Sequence, residues 1–178
     1  MNKIIILFLA FICLLSESVK SQNSISCPTF LKSEKSGLSP WQKYTVKTGL
    51  VFIAGASDGV SQTLAFHYEY FQNDFPDAPQ NYWNPDSSWY NKWANGDPNQ
   101  GEAFPGSSTM FVWTTDGYHL FRTISKTSLV SGICFGTVVN VYDQKKWWIY
   151  LTDFVLYSVA YSAGFHLTYT LMFGKPTE

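Results

Sequence analysis

The chain has 178 residues, with 12 Lys and Arg against 13 Asp and Glu and a formal net charge of −1. That balance excludes a nucleic-acid binder, which needs a basic face to meet phosphates. Charged residues make up 14% of the chain and aromatic residues 18%, against about 25% charged in ordinary globular domains, so the composition leans towards a membrane protein although the mean hydropathy is a modest −0.07.

The N-terminus reads first. Lys3 precedes an uncharged apolar run over residues 4–15, and a polar stretch follows with Val19 and Ser21 three and one residues before a cut ahead of Gln22. This is the three-part pattern of a secretory signal, and the apolar run is too short to span a bilayer comfortably. Residues 1–21 therefore read as a signal peptide, with an uncleaved anchor as the alternative. What remains is enough for one domain with a sizeable core. Cleavage would leave Cys27, in a polar tail, and Cys134, in an apolar segment. Two cysteines are far short of a disulfide framework, and Cys134 reads as a small buried apolar residue.

Residues 22–42 are polar and end in Ser39-Pro40-Trp41, where Ser can cap a helix and Pro suits its first position. A first helix is expected over residues 40–71. Residues 72–108 are punctuated by Pro76, Pro79, Pro85, Pro98 and Pro105 and rich in Asn, Asp and Gly, which predicts an ordered loop. Its rings, Trp83, Trp89, Tyr90 and Trp93, are a candidate stacking or binding surface, with simple cover for the end of a bundle as the alternative. Helical pattern resumes over 107–125 and 126–141, a turn follows at 143–146, and a last helix covers 147–173. The expected fold is all-α: a single domain over 43–178, built as a compact bundle of three to four membrane-embedded helices with the long aromatic loop 72–108 folded on it.

Small residues recur four apart in the apolar segments: Gly55 and Gly59, Gly132 and Gly136, Ala160 and Gly164, Ser158 and Ser162. That spacing lets two helix backbones approach closely, a packing device common in lipid. Lys145, Lys146, Trp147 and Trp148 at one end of the last segment, with Tyr169 and Phe173 near the other, have the character of interfacial anchors. Its 27 residues would reach about 40 Å, enough to cross a hydrocarbon core of about 30 Å. The competing reading is an exported helical bundle outside the membrane whose helices are apolar because they are buried. Orientation gives opposed inferences: Lys32, Lys35, Lys43 and Lys47 would stay inside by the positive-inside tendency, whereas a cleaved signal would put them outside.

Each main helical segment carries one Asp and one His: Asp58 and His67, Asp116 and His119, Asp153 and His166. Buried ionisable groups are costly, which makes them functional candidates. Asp116-Gly117-Tyr118-His119 is the sharpest piece, because i and i+3 share a helical face, and Arg122 extends that stripe. Asp116, His119 and Arg122 are thus the candidate catalytic residues, and Asp116, His119 and His166 the candidate metal ligands. Hydrogen bonding between helices is the plainer account of all these groups. Oxygen-bearing residues from Asn95 to Glu102 suggest a calcium loop, but Pro98 intrudes and ordinary turns explain them. No Gly-x-Ser-x-Gly elbow, phosphate loop, Cys-x-x-Cys or His-Glu-x-x-His occurs, and no cofactor is implied.

The segments Ser87-Ser88-Trp89-Tyr90-Asn91-Lys92-Trp93-Ala94-Asn95-Gly96-Asp97-Pro98, Phe104-Pro105-Gly106-Ser107 and Thr115-Asp116-Gly117-Tyr118-His119-Leu120 resemble uncharacterised small bacterial exported or membrane proteins. The resemblance implies no activity, substrate or cofactor. From the export signal and the apolar segments, the functional expectation is a small helical membrane protein, reached through export, that binds a partner protein or lipid without catalysis. The bilayer, a partner membrane protein or a second copy meeting through small-residue helix faces are its expected partners. The alternatives are a metal-assisted or proton-handling membrane enzyme using Asp116 and His119, and a soluble exported helical binding module.

Overall fold

A computed structural model describes residues 37–142 and 145–174. The expected signal peptide and Cys27 lie outside the described residues. Among those described there are six α-helices and no sheet, only an isolated antiparallel bridge between Trp93 and Glu102. Three helices are long: α1 (Pro40–Phe66), α5 (Gly117–Tyr142) and α6 (Trp147–His166). Three are short and lie between α1 and α5: α2 (Tyr68–Asp74), α3 (Gln80–Trp83) and α4 (Pro85–Ser88). A π-helical turn, Leu167–Met172, continues α6.

No described helix is both long and apolar enough to cross a membrane. This corrects the expectation of three to four membrane-embedded helices, and with it the bilayer as partner, the membrane location and the likeness to small membrane proteins. The physical reason lies in what the segments carry. α1 includes Lys43, Lys47 and Asp58, and α5 includes Arg122, Lys126 and a run of Ser and Thr. α6 is apolar but is diluted by Trp, Tyr and Ser, residues that suit an interface better than hydrocarbon.

α1 starts where the local chemistry sets it. The Gln42 side chain accepts from the Ser39 backbone N–H at 2.8 Å and from its hydroxyl at 3.0 Å, and Pro40 occupies the first helical position. This reciprocal cap satisfies a donor the helix itself cannot. The helix ends at Phe66 rather than running to residue 71, because His67 leaves helical geometry before α2 begins. The two helical segments expected over 107–125 and 126–141 are one helix, α5, that begins only at Gly117. Residues before it form short turns, including a 3-10 turn at Val112–Thr114.

α1 is the central element. α5 and α6 both pack along it and touch one another only sparsely. The glycines explain how closely: a Cβ at Gly55 would overlap the Tyr161 backbone, one at Gly59 the Phe165 carbonyl and Thr168 hydroxyl, and one at Gly164 the Phe52 carbonyl. Gly132 and Gly136 of α5 face Val51 and Lys47 of α1 and Tyr157 of α6. The small-residue spacing thus works as a packing device within the chain. The apolar core gathers at one end, where Val60 and Leu64 of α1 meet Phe71 and Phe173. Trp83 closes that end, with its ring 5.2 Å from Phe71 and 6.2 Å from Phe121. The loop rings therefore act in part as cover.

Candidate functional site

Asp116 and His119 meet, but as a helix cap. Asp116 stands just before α5; its carbonyl accepts from Leu120 N–H at 3.1 Å and its Oδ1 from His119 N–H at 2.7 Å. A carboxylate at this position satisfies otherwise orphaned donors and complements the positive end of the helix. The His119 ring returns to the same carboxylate, with Nδ1 at 2.9 and 2.7 Å from its two oxygens, and the Thr115 hydroxyl lies 3.2 Å from Oδ2. Asp116 is almost wholly buried, and its charge, after burial, helps push up the ionisation of Tyr82. Arg122 does not join this group: its guanidinium donates to the Tyr118 hydroxyl. His166 is exposed and pairs with the Thr170 hydroxyl at 3.1 Å. Among the described residues no three His, Cys, Asp or Glu side chains gather closely enough to hold a metal ion.

The aromatic candidates separate as well. Trp83 is spent on core cover, lying against Gly117 so closely that a Cβ there would overlap its ring. Trp89 and Tyr90 stack on one another, with centroids 3.8 Å apart, and remain partly exposed. Trp93 sits in the backbone bridge to Glu102. Glu102 itself accepts from Gly106 N–H and from the backbone and hydroxyl of Ser108. Those hydrogen bonds, the Ser108 hydroxyl first, hold its carboxyl below the usual glutamate range. Asp97 is lowered by the Asn99 backbone and the Gln100 amide, so the acidic stretch read against a calcium loop is built of turns.

The most concentrated chemistry was not legible in the sequence. Lys47 of α1 donates from Nζ to both oxygens of Asp153 of α6 at 2.6 Å, and Asn140 of α5 donates from Nδ2 to Asp153 Oδ2 at 2.7 Å. All three side chains are buried, and the Tyr44 ring lies under Nζ at 4.0 Å. Further along, the Tyr161 hydroxyl donates to Asp58 at 2.7 Å, and the Thr168 hydroxyl to the Ala56 carbonyl at 2.9 Å. Burial, then the Asp58 hydrogen bond and charge, push Tyr161 up to about 12; burial, then Asp153 and Tyr44, do the same for Tyr157. Polar contacts therefore join the three long helices beside the buried Val51, Ala54 and Val139.

The outer face of α5 and α6 is apolar. On α6, Phe154 is 67% and Leu151 60% exposed, with Trp147, Trp148, Val155 and Val159 beside them. Val130, Ile133 and Val138 of α5 are exposed too, and so is Cys134, against the expectation that it is buried. Because α5 and α6 diverge over α1, they leave a groove of about 430 Å³ with Val51 at its floor and Leu129, Ile133, Phe154 and Tyr157 on its walls. No family model, no curated protein and no solved structure matches this chain.

Proposed function

We propose that this protein is a helical binding module that works by protein–protein association, and that the surface it takes is the outer face of α5 and α6 of a second copy. The observation that supports this is the inverted polarity of α6. Its buried carboxyl group, Asp153, faces inward, while eight of its large apolar side chains and three of α5 stand more than a third exposed. Four of the eleven are aromatic, each with roughly 150–250 Å² to bury when fully exposed; scaled by the exposure of each and with the seven aliphatic side chains added, the face is on the order of 1,000 Å², above the ~300–600 Å² of the largest patch on ordinary monomers. It is comparable with the ~800 Å² each partner contributes to a standard interface.

A second copy suits the face because an isologous contact requires only a self-complementary patch. Between Trp147 and Phe165 no exposed Lys, Arg, Asp or Glu interrupts α6, so its own image meets no like charge. The glycines of the small-residue pairs are already used inside the chain, whereas Ser158 and Ser162 stay exposed beside the groove. The test is light scattering of the folded protein over a wide concentration range. A dimer that returns to monomer in Leu151→Lys/Phe154→Glu, with unchanged helicity, supports the reading; a wild-type monomer at every concentration ends it.

A further inference from the structure

Lys47, Asn140 and Asp153 form a reactive set as well as a structural one. We propose that the folded chain joins Lys47 to Asn140 through a self-catalysed isopeptide bond, with Asp153 moving the protons. An amine attacks an amide only when it is neutral, held against the carbonyl carbon, and supplied with a group that protonates the departing nitrogen.

Three helices bring the amine, the amide and the carboxylate together. Nζ of Lys47 and Nδ2 of Asn140 both donate to one oxygen, Asp153 Oδ2, at 2.6 and 2.7 Å. The two nitrogens are therefore no further apart than twice a hydrogen-bond length, and the amide carbon is bonded directly to the second. Proton transfer from the Lys47 ammonium to the carboxylate replaces two buried charges with two neutral groups, and burial this deep penalises charge. The surroundings exclude solvent: Lys47 is 1% exposed, the Tyr44 ring backs Nζ, and Gly136 leaves the room that the Lys47 stem and the Tyr157 hydroxyl fill. Prepositioning of this kind turns a slow bimolecular aminolysis into a unimolecular one.

The step balances without any further reactant. Asp153 takes one proton from Lys47 Nζ, and the freed amine forms a bond to Asn140 Cγ. Asp153 then passes its proton to Nδ2 and receives a second one from Nζ. The Cγ–Nδ2 bond breaks, the carbonyl reforms, and ammonia leaves, taking the last proton from Asp153 as ammonium. Nothing is oxidised or reduced.

The experiment is intact-mass measurement of the folded wild-type chain after prolonged incubation, followed by digestion and peptide sequencing by tandem mass spectrometry. The expected result is a chain lighter by one ammonia, with a branched peptide linking Lys47 to Asn140. Asn140→Ala and Asp153→Ala should keep the full sequence mass, and because the wild-type measurement is decisive alone, neither variant needs to fold well. A wild-type chain at its full mass overturns the proposal and leaves the three residues a structural ion pair. Loss of ammonia mapped to any other site, such as cyclisation of an N-terminal Gln22, overturns it equally.

Discussion

The backbone of Gly164 in α6 rests on the Phe52 carbonyl of α1, so that any side chain at Gly164 would overlap that oxygen. Backbone contact this close cannot be relieved by moving a flexible side chain. Gly164→Leu should therefore destabilise by about 1–3 kcal/mol, as overpacking does, while Thr152→Ala on the exposed side of α6 should change stability by less than about 0.5 kcal/mol. Urea unfolding monitored by helicity measures both. Equal effects at the two positions would mean that the helices do not meet where the glycines place them.

The pair Lys47–Asp153 predicts an asymmetry between one change and two. Measured in an Asn140→Ala background, which keeps the Lys47 amine free, Lys47→Met strands the buried Asp153 carboxylate, and losing one partner of a buried pair costs about 3–5 kcal/mol. Adding Asp153→Leu removes the stranded charge, so the double variant should recover a substantial part of that loss. A double variant as unstable as the sum of its parts would show that the two side chains do not act on one another.

At Asp116 the cap and the metal reading diverge cleanly. A cap predicts that Asp116→Ala costs about 1 kcal/mol while Asp116→Asn stays close to wild type, since Asn caps as well as Asp. A metal site predicts that both changes abolish bound metal, detectable by elemental analysis. The expected outcome is a stability difference between the two variants with metal content unaltered.

These residues also show what could be read ahead of the structure. The start of α1 was legible because Ser39, Pro40 and Gln42 act on each other within one turn, and the glycine pairs were legible because helical spacing alone puts them on one face. The contact between Asp116 and His119 follows from their i, i+3 spacing, whereas the place of Asp116 at the start of α5 does not, since nothing local marks Gly117 as the first helical residue. The Lys47–Asp153 pair spans 106 positions, a separation at which no pattern of spacing operates. The membrane reading failed for a related reason. An apolar helix with Trp and Tyr along it looks the same whether lipid or protein is to cover it, and only the three-dimensional arrangement shows that its polar stripe faces α1. Cys134 was misplaced by the same ambiguity.

The last prediction concerns alkaline pH. The Tyr161 hydroxyl donates a hydrogen bond to Asp58, and its ionisation is pushed up to about 12 by burial first and that carboxylate second; Tyr157 reaches about 12 through burial, then Asp153 and Tyr44. In the unfolded chain both return towards the ordinary value of about 10. The folded state thus holds these protons more tightly, so their contribution to stability is complete below about pH 10 and is lost as pH rises through about 12. Stability should fall between pH 8 and pH 11, where the unfolded tyrosines ionise and the folded ones do not. Tyr161→Phe should be less stable than wild type at pH 8, because Asp58 loses a donor, and yet lose less on going to pH 11, because one linked proton is gone. Urea unfolding at the two pH values, with tyrosinate absorbance followed in parallel, reads both quantities. The decisive comparison is the slope: a Tyr157→Phe/Tyr161→Phe chain whose stability declines as steeply as wild type would place the responsible protons elsewhere.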